Sequence, residues 1–288
     1  MSAVRALAVS CRPRQWIKNG LVFVPLISSA SFTSLEAVKR SSAAAAAFSL
    51  IASAVYLLND IYDREGDRAH PVKKLRPIAS GALSARGAAA AAVGLAIAAF
   101  VLAAYLGYKV LLVLALYGLC NVGYSLGLRR EPILDVLLVS AGFVMRPVAG
   151  AFAIPVRVSA WLFVVSLLLS LSLALLKRRA ELVGLENLAL SYRPALANYS
   201  VRFLDQLISI VTGAGIISYS LYTFQSEHSE ELVITLPLFL YGVFRYLYLV
   251  YERKAGASPE EIFLNDRPLQ IDAILYLGVV VAILRSKY

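Results

Sequence analysis

Long apolar segments alternate with short polar segments along the whole chain. Each apolar segment has roughly 20 residues, the length that an α-helix needs to cross a hydrocarbon core of about 30 Å. We place nine such segments at 17–34, 41–58, 86–107, 109–127, 133–155, 159–176, 205–223, 232–251 and 268–285. The ten-residue alternation typical of membrane β-barrels is not seen. The pattern predicts an all-α membrane protein, a bundle of about nine transmembrane helices in one domain over residues 1–288.

The composition agrees with a membrane location. Hydrophobic residues make up 59% of the chain and charged residues 16%, whereas soluble domains carry about 25% charged residues. The Ala- and Gly-rich segment at 86–107 predicts close packing against neighbouring helices. Cys11 and Cys120 lack metal-ligand spacing, so we interpret them as buried, inert thiols. No cleavable signal peptide is evident.

Lys and Arg residues are concentrated on one side of the predicted membrane. Twenty of the 28 lie in the N-terminal tail and every second connection, and six lie on the opposite side. This bias predicts a cytoplasmic N-terminus and an external C-terminus. The net charge of +10 then faces the cytoplasm, where it favours anionic lipid headgroups. We expect the lipid bilayer as a partner and no nucleic acid, and the sequence leaves the oligomeric state open.

The connection after the second span begins with an unusual group of acidic residues. Asn59, Asp60, Asp63 and Asp67 have the spacing N-D-x-x-D-x-x-x-D. Residues three and four apart share one helix face, so a continuous helix would carry three carboxylates in a single stripe. Such carboxylates repel each other unless a cation binds between them, and hard oxygen ligands suit Mg²⁺ together with phosphate oxygens. We therefore predict a diphosphate–Mg²⁺ site with Asp60, Asp63 and Asp67 as catalytic metal ligands.

Basic residues follow the aspartates and are suited to direct phosphate contacts. They are Arg64, Arg68, Lys73, Lys74 and Arg76, with Asn59 as a further substrate contact. The alternative interpretation is a solvated loop after a membrane helix, but such a loop does not need three in-phase aspartates at the membrane boundary. His70 lies in the same stretch, and we interpret it as incidental rather than as a proton-transfer group.

The stretch "NDIYDREGDR", followed by "KKLRPIASG", resembles the first aspartate-rich motif of the UbiA-type intramembrane prenyltransferases. The resemblance covers nearly the whole chain. It implies a bundle of nine membrane helices, an active site open to the cytoplasm and a lateral gap for a lipid chain. Typical members carry a second aspartate-rich motif near the sixth span, and this sequence departs from the family there.

The end of the sixth span is basic where the family pattern is acidic. It contains Lys177, Arg178, Arg179 and Glu181. A basic cluster binds an anion directly rather than through a metal ion. Alternatively, Lys177 and Glu181 form an ordinary ion pair four residues apart on a helix, although this leaves Arg178 and Arg179 unexplained. Tyr192, slightly further along, is a candidate substrate contact.

Polar residues at other predicted helix ends complete the candidate site. Asp135 is a candidate second metal ligand or base, and Arg146, deeper in the fifth span, is its counter-ion or a lipid-phosphate contact. An ionisable residue within a span is costly and usually faces the interior or a polar cavity. Trp16 and Lys18 are either interfacial anchors or substrate contacts. The remaining candidate contacts are Tyr124 and Arg129.

Three further regions, "PRQWIKN", "LLKRRAEL" and "FRYLYLVY" with "SPEEIFLNDRPLQ", resemble one branch of the superfamily, the decaprenyl-phosphate phosphoribosyltransferases. The resemblance implies Mg²⁺-dependent transfer of 5-phosphoribose from phosphoribosyl pyrophosphate to a membrane polyprenyl phosphate, for cell wall biosynthesis. Two alternatives stay open. An aromatic prenyltransferase would need an acidic second region, and a lipid transporter or flippase often shows internal repeats.

Overall fold

The computed structural model describes residues 2–154, 156–157, 159–184, 196, 198–225, 229–253 and 258–286. In chain order its α-helices are α1 (Ala3–Ser10), α2 (Val24–Ser28), α3 (Leu35–Tyr62), α4 (Arg64–Ala69), α5 (Ala85–Leu106), α6 (Tyr108–Leu126), α7 (Leu134–Ala153), α8 (Ala160–Gly184), α9 (Val201–Gln225), α10 (Ser229–Leu232), α11 (Leu236–Tyr251), α12 (Pro259–Asn265) and α13 (Arg267–Arg285). Short 3-10 helices lie at Pro13–Phe23, Ser31–Thr33, Lys73–Leu75, Leu128–Arg130 and Val233–Thr235.

Eight helices within the described ranges are long and apolar enough to cross a membrane. They are α3, α5, α6, α7, α8, α9, α13 and the helix at Val233–Tyr251 that contains α11. Each overlaps one of the predicted spans from the second to the ninth. The prediction of an all-helical membrane protein is therefore confirmed, with the count of nine as an approximation.

The segment predicted as the first span is not one long α-helix. It consists of the 3-10 helix Pro13–Phe23 followed by the short helix α2. Pro25 explains the interruption, because proline has no N–H to donate and its ring clashes with the carbonyl four residues earlier. Asn19, inside the segment, is buried and donates to Ser49 over 2.9 Å, so this segment is also tied to α3 by a polar contact.

Capping side chains fix where several helices begin. Ser34 accepts from the amide of Ala37 at the start of α3, and Ser84 accepts from that of Gly87 at the start of α5. Such caps satisfy N–H groups that have no partner in the first helical turn. Gly107 alone separates α5 from α6, with a φ of 127° that only glycine adopts readily.

Helix α5 shows how these helices divide their faces between protein and lipid. It packs against α3. Four of its five buried residues are alanines: Ala88, Ala92, Ala99 and Ala103. Its large apolar residues include four that are exposed: Val93, Ile97, Val101 and Tyr105. Both sets recur at helical spacing. Burying alanine and exposing larger apolar side chains suits a lipid environment, and the predicted close packing of this Ala-rich segment is confirmed.

The described residues fall into two compact units. Unit 1 lies within Met1–Leu26, Ser31–Gly127 and Met145–Arg157, and unit 2 within Ile27–Ala30, Leu128–Val144 and Val158–Tyr288. In the core of unit 1, the rings of Phe48 and Tyr117 meet edge to face, with centroids 5.3 Å apart. The core of unit 2 includes Leu176, Leu204 and Leu249. Each unit carries its own group of buried charged residues.

Gly150 of α7 lies directly against the backbone of the first 3-10 helix. A Cβ at this position would overlap the carbonyl oxygen of Val22 and lie 2.9 Å from its carbonyl carbon. Because backbone atoms cannot rotate away, we expect Gly150→Ala to lower the free energy of unfolding by about 1–3 kcal/mol, the typical cost of overpacking. Thermal unfolding of the purified protein in detergent measures this loss.

The matched control is Gly118→Ala in α6, where an added Cβ meets no atom within 4 Å. It is expected to leave the unfolding midpoint unchanged or slightly raised, because alanine favours helices over glycine. Equal midpoints for Gly150→Ala and Gly118→Ala would contradict the backbone contact.

Candidate functional site

Two aspartates of the acidic stretch share one arginine in unit 1. Nη1 of Arg76 donates to Asp60 Oδ1 over 3.1 Å and to Asp67 Oδ2 over 2.6 Å. Arg12 donates a further hydrogen bond of 2.5 Å to Asp60 Oδ1. Asp60 and Asp67 are 3% and 4% exposed. Both carboxylates are therefore shielded from water, and the arginine side chains beside them supply the compensating positive charge. The structure thus brings together two of the three predicted metal ligands and one predicted phosphate contact.

The acidic residues do not form the single helical stripe that their spacing predicts. Helix α3 ends at Tyr62, Asp63 takes up a non-helical conformation with ψ of 1°, and α4 begins at Arg64. Asp63 is half-buried at this junction. The break allows the chain to turn, so that Asp60 from α3 and Asp67 from α4 face the same guanidinium. Asp60 and Asp67 are neighbours as predicted, but through a bend rather than a continuous helix.

The remaining carboxylate oxygens determine whether Mg²⁺ fits here. Within the described residues, the hydrogen bonds to Asp60 all end on Oδ1 and those to Asp67 on Oδ2, which leaves one oxygen of each for another ligand. No three His, Cys, Asp or Glu side chains of the described residues form a ready metal cage. Mg²⁺ typically uses one or two carboxylates and completes its shell with phosphate oxygens and water. Asp60 and Asp67 therefore fit Mg²⁺ bound together with a phosphorylated substrate.

Arg12 was not among the sequence candidates. It has a left-handed backbone conformation with φ of 52°, which is uncommon for a residue other than glycine. Its guanidinium lies 4.9 Å from the ring centroid of Tyr56, one helical turn before Asp60. The only feature of the sequence that drew attention to Arg12 is its position before Pro13 in the "CRPRQWIKN" stretch. That feature does not identify its partner, Asp60, 48 positions away.

Two of the other predicted phosphate contacts of the acidic stretch pair with a surface glutamate. Arg64 and Arg68 form ion pairs of 3.0 and 3.6 Å with the exposed Glu65. Lys73 is half-buried and Lys74 exposed in the short 3-10 helix that follows. Asn59 accepts a hydrogen bond from Ser125 of α6, which ties the start of the acidic stretch to a second membrane helix.

His70 has a structural position that explains its presence. Its Nδ1 accepts hydrogen bonds from the backbone amides of Val72 and Lys73, so this ring nitrogen carries no proton. Partial burial, and then the positive charge of Lys73, lower the pKa of His70. A neutral imidazole that shapes the turn agrees with its interpretation as incidental to proton transfer.

Unit 2 contains a second buried charged group. Arg178 of α8 is 3% exposed, and its Nε donates to Oδ2 of Asp135, which is 1% exposed. Nη1 of Arg178 donates to Glu181 over 2.8 Å. Glu181 is thus paired with Arg178, which lies three residues before it on the same helix. One arginine bridges two carboxylates, as in unit 1.

Tyr199 completes this group and was not predicted. Its hydroxyl donates to Asp135 Oδ1 over 2.8 Å and accepts from the backbone amide of Ile133. Ile133 has a φ of 67°, a strained conformation for a β-branched residue, and the hydrogen bond holds it there. Burial raises the pKa of Tyr199 to about 12, so the hydroxyl keeps its proton and remains a donor to Asp135.

Arg179 is directed to a different partner from its neighbour Arg178. Its Nε donates to Asp205 of α9 over 2.5 Å, and its guanidinium lies 3.9 Å from the ring centroid of Tyr251. Tyr251 also donates to Asp205 over 2.7 Å. The predicted basic region is therefore a mixed one, in which Arg178 and Arg179 each have carboxylate partners.

Arg146 is not the counter-ion of Asp135. Asp135 belongs to unit 2, where it pairs with Arg178, and Arg146 belongs to unit 1. Arg146 is 4% exposed in unit 1, where its Nε donates to Asn19 over 2.8 Å. Its guanidinium lies 5.3 Å from the ring centroid of Tyr117 and 5.7 Å from that of Phe48. A buried polar and aromatic enclosure therefore holds this charge.

The other candidates are spread over several helices. Lys18 is half-buried in the first 3-10 helix, and Trp16 donates to Ser53 over 3.1 Å. Tyr124, Arg129 and Lys177 are also half-buried; Tyr124 belongs to unit 1 and the other two to unit 2. Tyr192 lies outside the described residues.

Both cysteines are free thiols, but each is only partly buried rather than buried as predicted. Burial raises the pKa of the Cys11 thiol. A raised pKa lowers the thiolate fraction, which agrees with an inert residue.

Comparison with known proteins identifies one matching family and several similar proteins. The pattern of the UbiA prenyltransferase family matches residues 22–265. A decaprenyl-phosphate phosphoribosyltransferase of Mycolicibacterium smegmatis is 34% identical, with 96% of this chain and 92% of that protein covered. A protein of the same name from Mycobacterium tuberculosis is 31% identical, with 96% and 93% covered. A solved UbiA homolog from Archaeoglobus fulgidus, bound to GPP and Mg²⁺, has a TM-score of 0.74 at 17% identity, with 97% and 99% covered.

Proposed function

The chain belongs to the UbiA prenyltransferase family, and we propose that it transfers 5-phosphoribose from phosphoribosyl pyrophosphate to a membrane polyprenyl phosphate. The bond between ribose C1 and pyrophosphate breaks, and a bond forms between C1 and an oxygen of the acceptor phosphate. The observation that carries this proposal is the similarity, over nearly the whole chain, to relatives named decaprenyl-phosphate phosphoribosyltransferase.

In this proposal, unit 1 binds the donor. Asp60 and Asp67, together with Asp63 at the junction of α3 and α4, would hold Mg²⁺. When bound, Mg²⁺ supplies positive charge to the oxygens of the leaving pyrophosphate. Arg12 and Arg76 fix the two carboxylates in place, and their positive charges keep two buried acids from repelling each other. Arg64, Arg68, Lys73 and Lys74 are the proposed contacts for the donor's phosphate groups.

Unit 2 is the proposed site of the acceptor phosphate. A phosphate monoester is already an anion at neutral pH, so the reaction needs a cationic surface for it more than a general base. Lys177 and Arg129 are the proposed contacts. Arg178, which bridges Asp135 and Glu181, is assigned a positioning role, and so is Asp135. The apolar faces of the spanning helices are proposed to hold the isoprenoid tail.

We further propose that the N-terminus and the acidic stretch face the cytoplasm and the C-terminus faces outward. The unequal distribution of Lys and Arg, twenty against six, supports this orientation. A reporter that is active only outside the cytoplasm is expected to be active when fused to the C-terminus and inactive at the N-terminus. The opposite pattern overturns the orientation.

The decisive experiment combines purified protein, Mg²⁺, phosphoribosyl pyrophosphate labelled in the ribose, and a polyprenyl phosphate. Label is expected to pass into the organic phase, and pyrophosphate to be released in equal amount. A parallel reaction with a prenyl diphosphate and a phenolic acid tests the aromatic prenyltransferase alternative. Transfer in the parallel reaction alone would overturn the proposal.

A further inference from the structure

Unit 2 contains an apolar cavity that shares no residue with either group of buried charges. It has a volume of about 360 Å³ and is lined by α8, α11, α12 and α13. This volume is within the range of small-molecule sites, roughly 300–1,000 Å³. Its aromatic walls include Phe239, Tyr246, Phe263 and Tyr276. The cavity therefore has the size and the apolar lining of a binding site.

One carboxylate stands in this apolar lining. Asp272 is 8% exposed and lies on the membrane-spanning helix α13, five residues after its start. Among the described residues, no hydrogen bond or ion pair reaches its side chain, and no Lys, Arg or His lines the cavity. An ionised carboxylate without a partner is costly in a membrane interior, and such a residue usually marks a functional site.

Gly242 of α11 makes room for this carboxylate. A Cβ on Gly242 would lie 2.8 Å from Asp272 Oδ2, which is closer than real Cβ contacts allow. The absent side chain thus lets the acid sit against the backbone of α11 at the cavity wall. The packing of two helices is adapted to an acidic side chain that no residue of the described chain neutralises.

The chemistry of the cavity selects a class of ligand. A carboxylate attracts a cation, and aromatic rings bind an ammonium group through their π faces. The apolar walls suit a hydrocarbon body. A phosphate would have no basic partner here, which disfavours a zwitterionic phospholipid headgroup. We propose that this cavity binds an amphiphile with a single ammonium group, held by Asp272. This site goes beyond the proposed transfer reaction.

The test uses decylammonium as the probe, with decanol as a neutral analogue of equal chain length. Binding to the purified full chain in a neutral detergent is measured by calorimetry. Wild-type protein is expected to prefer decylammonium over decanol by at least about tenfold, equivalent to about 1.4 kcal/mol. Asp272→Asn, which keeps the shape and removes the charge, is expected to abolish that preference. Gly242→Ala, which crowds the carboxylate, is expected to reduce it.

Glu36→Gln is the matched control, because it makes the same chemical change at an exposed carboxylate in unit 1. It is expected to retain the full preference for decylammonium. An unchanged preference in Asp272→Asn overturns the proposal, as does equal binding of decanol and decylammonium to wild type. Short-chain phosphatidylethanolamine is the third probe, and binding as tight as that of decylammonium would overturn the choice of a singly charged ligand.

Discussion

Asp67→Asn is expected to lower the rate of phosphoribosyl transfer roughly 100- to 1,000-fold, the effect typical of removing one preorganised charged group from an active site. The asparagine oxygen can still accept the hydrogen bond from Arg76, so the bend between α3 and α4 should persist. The second oxygen, proposed to bind Mg²⁺, is replaced by an NH₂ group that cannot coordinate a cation. Initial rates with labelled donor measure the loss, and a Mg²⁺ titration should show a higher half-saturating concentration.

Glu65→Gln is the matched control for Asp67→Asn. Glu65 lies in the same helix α4, its side chain is 77% exposed, and it pairs with Arg64 and Arg68 on the surface. It should retain a near-normal rate and an unchanged Mg²⁺ requirement. If Asp67→Asn stayed within about tenfold of wild type with the same Mg²⁺ dependence, the metal assignment would be wrong. Equal unfolding midpoints for the two variants separate a lost ligand from a lost fold.

Arg178→Met is expected to destabilise the protein by about 3–5 kcal/mol, because breaking a buried ion pair leaves an uncompensated charge. Asp135 is 1% exposed, so its carboxylate would have only the Tyr199 hydroxyl as a described partner. Denaturant-induced unfolding in mixed micelles measures the change. The double variant Asp135→Leu with Arg178→Met should recover much of the loss, since apolar replacement of a whole buried pair is often nearly neutral.

Two further variants give losses of stability with which that of Arg178→Met can be compared. Arg179→Met breaks the pair with Asp205, whose side chain is 36% exposed, and should cost about 1 kcal/mol or less, as for surface ion pairs. Tyr199→Phe removes the hydroxyl shared by Ile133 and Asp135 and should cost about 1–3 kcal/mol. If Arg178→Met were no more destabilising than Arg179→Met, the buried pair would not be important for stability.

The helices were predictable because membrane spanning imposes a length and an apolar composition that the sequence displays directly. The Ala- and Gly-rich stretch of α5 even indicated its close packing. The first segment was not predictable in this way. Its apolar residues satisfy the length rule, but the segment divides into a 3-10 helix, in which Asn19 makes polar contacts, and the short helix α2 that contains Pro25. Hydropathy does not register hydrogen bonds to side chains that are distant in the sequence.

The sequence indicated which residues belong to the candidate site, but not which of them contact each other. The spacing identified Asp60 and Asp67, and the basic run identified Arg76, yet Arg12 approaches from 48 positions away. The same holds in unit 2, where Tyr199 is 64 positions from Asp135. Single positively charged residues and tyrosines are common along the chain, and nothing in their local sequence indicates a partner. Only folding shows that Arg178 is committed to two carboxylates.

The one-residue link at Gly107 determines which experiments the membrane topology permits. Tyr105 and Tyr108 flank it and are 77% and 75% exposed, as expected for aromatic side chains at the headgroup level. An epitope or protease site inserted there would have to lengthen or unwind one of two membrane helices. Topology mapping with inserted tags therefore has no neutral position between α5 and α6. Single-cysteine substitutions with small labelling reagents are the suitable approach on that side.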